Sequence, residues 1–262
     1  MILGLVAAGD CISHSETEIP IEENSDLQIW VTSALKLHHT LRHASRDPGN
    51  WVQRDVITKA VNETWGNRPR TSKERIVALV VGVFCWCDRG DILAIWREAV
   101  SADCPEETRA GIDVFSIVLR SFLYEPPGRT VWLPLKRKTT IAALREFSPQ
   151  ALAELQMAKY SASPQNGELF LTSTAIACQL PWYSSACKLA RHQAQASDSI
   201  AIIGSLLGAA FGSIAFREDI RAIKRVDANQ QAVAIAIEPL WATLIGSGNS
   251  GSLATVSLAN VS

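Results

Sequence analysis

The chain has 262 residues, with 25 Lys+Arg against 26 Asp+Glu and a formal net charge of -1. Hydrophobic residues make up 47% and charged ones 19%, a balance that supports a substantial core and excludes disorder over most of the chain. It also excludes a broad nucleic-acid footprint, which needs a basic surplus to neutralise phosphates; the run Lys136, Arg137 and Lys138 has the size of a solvated loop.

The periodicity is helical almost throughout. The apolar opening Met1 to Ala8 reads as a short helix and not as a secretory signal, because it lacks a positive n-region and Asp10 interrupts it. Gln28 to His43 places Val31, Leu35 and Leu41 on one side of a second helix. Trp51 to Val61 follows an Asp47-Pro48-Gly49-Asn50 turn with Asn50 as its expected cap. Thr71-Ser72-Lys73-Glu74 reads as a capping box opening the helix that carries Ile76, Val80 and Val83. Asp91 to Ser101 is a further helix. A longer one starts at Pro105, with Glu106 and Glu107 where carboxylates favour the macrodipole, and stops before Pro126-Pro127-Gly128.

Beyond it, Val131 to Pro134 is too short to make a sheet, and Ser148-Pro149 opens a helix through Ala158. Helices are expected at Leu171–Gln179, Tyr183–Ala194, Asp198–Phe216 and Ala228–Ile245, after which the composition turns to Gly, Ser and Asn. No strand alternation and no internal repeat is present. The reading is an all-α single domain over residues 1–245 with a tail at 246–262.

The uncharged run Ser199 to Phe216 is close to the lower limit for a bilayer span, roughly 18 residues. Gly204, Gly208 and Gly212 recur every four residues in it, a spacing that pairs helices in a membrane and equally lets a buried helix approach its neighbours in a bundle. Asp198 at one end and Arg217-Glu218-Asp219 at the other favour the bundle. Cys11, Cys85, Cys87, Cys104, Cys178 and Cys187 form no CxxC pair and read as reduced, mostly buried thiols, which points to a cytoplasmic setting. His39 and His43 have chelating spacing but no glutamate between them of the HExxH kind, and a solvated helix face accounts for them. Trp30, Trp65, Trp86 and Trp96 suit core packing better than adenine stacking.

No P-loop, GxGxxG or nucleophile motif is present. Two aspartates stand just before helices, in Asn24-Ser25-Asp26-Leu27-Gln28 and in Ala196-Ser197-Asp198-Ser199-Ile200. As ordinary N-caps, Ser25 or Asp26 and Ser197 or Asp198 would accept from backbone N–H groups. Alternatively the two helix starts meet, and their carboxylates and hydroxyls face one hard cation such as Mg²⁺ or Mn²⁺.

Three blocks bear on that choice: Gly4 to Asp10, ending in Gly-Asp; Ser25-Asp26-Leu27-Gln28-Ile29; and Asp198-Ser199-Ile200 with Gly204, Gly208-Ala209-Ala210 and Gly212. Together they resemble the ADP-ribosylglycohydrolases, the all-helical family that includes the dinitrogenase-reductase-activating glycohydrolase and the ADP-ribosylarginine hydrolases. The second block resembles that family's Asp-Asp-Thr-Gln-Met block and the third, the most specific, its Asp-Thr-Asp-Thr block. The likeness runs from near residue 1 to about residue 245. It implies a multi-helix orthogonal bundle that hydrolyses ADP-ribose from a protein side chain, arginine first, with metal assistance. The partners implied are ADP-ribose or an ADP-ribosylated protein; the charge balance adds the expectation of no nucleic acid, and the charges flanking Ser199–Phe216 that of no membrane.

Carried over by residue, the resemblance assigns Asp26, Asp198, Ser199 and Ser25 to metal and Asp26 to the acidic group that assists water attack. The departures are specific. Ser25 and Leu27 stand where the family has aspartate and threonine; with the register slipped by one, Leu27 replaces the second aspartate. Ala196 stands where a further aspartate is expected, and of the Pro69 to Arg75 run only Arg75 matches the family's middle block. Two divalent ions would bring four positive charges against the two of Asp26 and Asp198, so at most one Mg²⁺ or Mn²⁺ is expected. The functional expectations are therefore a one-metal hydrolase, a degenerate relative that binds nucleotide or protein without turnover, or a helical membrane-associated protein built on Ser199–Phe216.

Overall fold

The computed structural model describes residues 53–66, 68–86, 89–124, 168–180, 182–193 and 195–216, together with residues 33, 36, 37, 39 and 40. The expected opening helix, the Ser148–Ala158 and Ala228–Ile245 helices, the segment Val131 to Pro134 and the tail lie outside the described residues, as do Ser25, Asp26 and Trp30. Within them every regular element is helical: α1 Arg54–Trp65, α2 Ser72–Trp86, α3 Gly90–Ser101, α4 Glu106–Tyr124, α5 Leu169–Gln179, α6 Tyr183–Ala190 and α7 Ala196–Phe211, the last running into a 3-10 turn at Gly212–Phe216.

Local pattern accounts for the outer helices. In α1 the buried residues are Ile57, Ala60, Val61, Thr64 and Trp65, the spacing of one helical face. That face turns toward α3, whose own buried stripe is Ile92, Leu93, Trp96, Ala99 and Val100. The helix begins at Arg54 after Gln53, three residues past the expected Asn50 cap, and continues beyond Val61 to Trp65 because Thr64 and Trp65 extend the same face. Lys36 ties the helical residues near position 37 to this pair by donating from Nζ to the Thr64 carbonyl at 2.9 Å.

Trp65, Trp86 and Trp96 meet where α1, α2 and α3 converge. Trp96 is fully buried, with ring centroids 6.3 Å from Trp65 and 5.0 Å from Trp86, and its Nε1 donates to the Ala78 carbonyl at 2.8 Å. Gly82 makes this close packing possible, since a Cβ there would overlap the Trp96 indole. These three tryptophans are core residues, as expected from the sequence.

The centre of the described helices is α7. Ile200, Ile202, Ile203, Leu206 and Leu207 are each at 0% exposure, and burying such side chains contributes about 1.5–3 kcal/mol apiece. A helix that is apolar all round must be surrounded, and α7 packs against α5, α4, α6 and α2. Gly204 and Gly208 are buried within it. Gly212 has a different role from the one its four-residue spacing suggested: at φ 59° it ends the helix in a conformation that L side chains rarely adopt. The uncharged run is thereby divided at that glycine. Sixteen residues of α7 rise about 24 Å, short of the ~30 Å hydrocarbon layer, and no described helix is long and apolar enough to cross a membrane.

Candidate functional site

The starts of α2 and α7 share one end of the helix assembly. At α2 the expected capping box is present in both directions: Thr71 N donates to Glu74 Oε2 at 2.9 Å, and Glu74 N donates to Thr71 Oγ1 at 3.3 Å. Arg68 pairs with the same Glu74 carboxylate at 2.6 Å. Burial acts to raise the Glu74 carboxyl, but the Thr71 N–H and the Arg68 guanidinium outweigh it and hold the group below its ordinary value. From this turn Ser72 Oγ reaches across to Gln195 Oε1 at 3.3 Å, joining the start of α2 to the residue that precedes α7.

The Asp198-Ser199 pair lies in the first turn of α7. Neither Ser197 nor Asp198 is the N-cap, because the helix already begins at Ala196 and Gln195 occupies the cap position without a side-chain cap bond. Asp198 is half-buried there. Ser199, one position on, turns inward: at 0% exposure its Oγ accepts from Ser173 Oγ at 2.8 Å, so the hydroxyl lies in the interface between α5 and α7. The expected partners Asp26 and Ser25 are outside the described residues, and among those described no group of three His, Cys, Asp or Glu side chains is placed to hold a metal. A hard cation needs several oxygens, and the described part of this corner offers the Asp198 carboxylate alone from the block the resemblance singled out.

Next to the start of α2 lies an arginine cluster that pattern reading did not find as a unit. Asp103, in the turn between α3 and α4, accepts from Arg70 N at 2.9 Å, from Arg70 Nη1 at 3.2 Å and from Arg75 Nη2 at 2.8 Å. Arg70 also donates to Asn62 Oδ1 at 2.8 Å and to the Ala99 carbonyl at 3.4 Å, which ties α1 and α3 to the entry of α2. Arg109, on the first turns of α4, donates to the Ser101 and Ala102 carbonyls at 3.2 and 3.0 Å. Burial pushes the Asp103 carboxyl up, yet the Arg70 N–H bond and the charges of Arg75 and Arg70 win, leaving it below the usual aspartate range. The neighbouring Cys104 thiol is pushed up by burial despite Arg75 and Arg109. The only trace of the cluster in the sequence was Arg75; Arg70 and Asp103 are 33 positions apart and carry no common periodicity.

The remaining expectations fall plainly. Cys104, Cys178 and Cys187 are buried thiols in no disulfide, whereas Cys11 and Cys87 lie outside the described residues. His39 is exposed, and His43 is outside them. Compared with protein-family models, with curated proteins and with solved structures, the chain matches none.

Proposed function

We propose that this chain is an ADP-ribosylglycohydrolase-like protein that binds an ADP-ribosyl group at the shared start of α2 and α7 without hydrolysing it. One observation supports binding over turnover: the Ser199 hydroxyl, one of the oxygens that a metal would require, is enclosed between helices and bonded to Ser173. What the corner retains is suited to holding a ligand. The N–H groups of α7 ahead of the Ser199 N to Gln195 O bond are those a helix start offers to an anion such as a diphosphate. The half-buried Asp198 carboxylate, in the first turn of α7, is the acceptor assigned to the ribose hydroxyls in this reading.

Calorimetric titration with ADP-ribose tests this reading, run with and without Mg²⁺ and alongside an assay for ADP-ribose release from an arginine-modified protein. Saturable binding without release is expected, with Asp198→Ala weakening it by about tenfold, the worth of one charge-assisted hydrogen bond. Mg²⁺-dependent release that Asp198→Ala abolishes would replace binding by the metal-assisted hydrolase. No interaction with ADP-ribose under either condition would end both readings.

A further inference from the structure

The cluster around Asp103 carries more positive charge than it balances. Arg70, at 4% side-chain exposure, and Arg75, at 12%, both pair with the single carboxylate of Asp103. Arg109 lies at the same turn, since its Nε and Nη2 donate to the carbonyls of Ser101 and Ala102, two residues and one residue before Asp103. Among the described residues Asp103 is the one carboxylate paired with any of the three; Glu106 and Glu107 stand exposed on the first turn of α4 and form no ion pair with them. The donors are in surplus as well. Arg70 Nε and Arg75 Nε are both buried with no hydrogen-bond partner.

Unpaired buried donors and unbalanced buried charge both raise the free energy of a fold, and a bound anion relieves both together. The guanidinium fork matches the tetrahedral oxygens of a phosphate, whereas a halide offers it no geometry to match. We infer that Arg75 and Arg109 form a binding site for a phosphate-class anion in the angle between the start of α2 and the α3–α4 turn, with Arg70 and Asp103 holding Arg75 in position. The site does not depend on the ADP-ribosyl reading. It is built on different residues, and the ligand chemistry is that shared by a free phosphate and the phosphoryl group of a nucleotide.

The test is thermal denaturation of the full chain against inorganic phosphate, pyrophosphate, AMP and ADP-ribose, with sodium chloride holding ionic strength constant. Expected is a saturable rise in Tm of a few degrees with a phosphate-bearing ligand and none with chloride. Arg109→Gln, at an exposed helical position, keeps the fold and should weaken the apparent affinity at least tenfold; Arg75→Gln should do the same where it remains folded. A phosphate response with no preference for ADP-ribose supports this site while counting against the ADP-ribosyl reading. Absence of a saturable rise with every phosphate compound, or a rise that Arg109→Gln leaves unchanged, overturns the inference.

Discussion

Ser173 Oγ donates to Ser199 Oγ across 2.8 Å and so joins α5 to the first turn of α7 with both side chains fully buried. The consequence is a coupled pair. Either Ser173→Ala or Ser199→Ala leaves the other hydroxyl in the core without this partner, at a cost of about 1–3 kcal/mol. The double variant removes both polar groups and should recover part of that loss. Urea denaturation of the four proteins is expected to give a coupling energy of about 1 kcal/mol; strict additivity would show that the bond contributes nothing to the α5–α7 contact.

A second prediction concerns Gly82. Alanine is the better helix former by about 1 kcal/mol, which alone would stabilise α2. Against that, the added methyl meets the Trp96 indole on its Nε1 side, where the nitrogen is bonded to Ala78 O, and overpacking of a core costs about 1–3 kcal/mol. Gly82→Ala should therefore lower the denaturation midpoint and weaken the near-ultraviolet circular dichroism of the tryptophan cluster. An unchanged midpoint would mean that the indole moves aside freely.

Asp103 makes stability depend on pH in a definite direction. Its carboxyl is held below the usual aspartate range in the folded chain, so between the folded pKa and the unfolded one of about 3.9 the unfolded chain binds more protons. The stabilisation is complete above the unfolded value and is lost as pH falls through the folded one. Asp103→Asn should be less stable than the parent by of order 2 kcal/mol at pH 7, the scale of a hydrogen bond to a charged group. That gap should narrow below about pH 4, as measured by denaturation at each pH. A gap that persists undiminished at pH 2 would show that shape, not charge, accounts for the role of Asp103.

Cys178 is fully buried, and burial pushes its thiol up to about 12. The thiolate is the reactive form, so at pH 8 a thiol reagent should leave Cys178 unmodified in the folded protein. Its labelling rate, followed by peptide mass mapping, should equal the rate of global unfolding. Modification within seconds under native conditions would place a solvent channel beside α5.

Features confined to a single turn were legible in the sequence. The Thr71–Glu74 box was readable because its two partners are three residues apart and no other element is needed to place them. The helices Gly90–Ser101 and Leu169–Gln179 begin within one or two residues of where their apolar spacing starts. The start of α7 was read too late. Ser197 and Asp198 are good caps by residue type, but contact of Gln195 with Ser72, 123 positions away, accompanies a helix that already begins at Ala196. Gly212 was misread for a related reason: regular spacing with Gly204 and Gly208 suggests a shared face, whereas its positive φ makes it the terminator.

By itself the amino-acid order determined that the described chain is helical and which of its residues are apolar enough to lie inside, because helical periodicity is a property of neighbours within a few turns. Tertiary structure alone decided which polar groups meet. Ser199 faces Ser173 and not solvent, and Asp103 gathers Arg70 and Arg75 from the entry of another helix. Such meetings depend on how helices dock, and a contact between residues tens of positions apart leaves no period in the sequence from which it could be read.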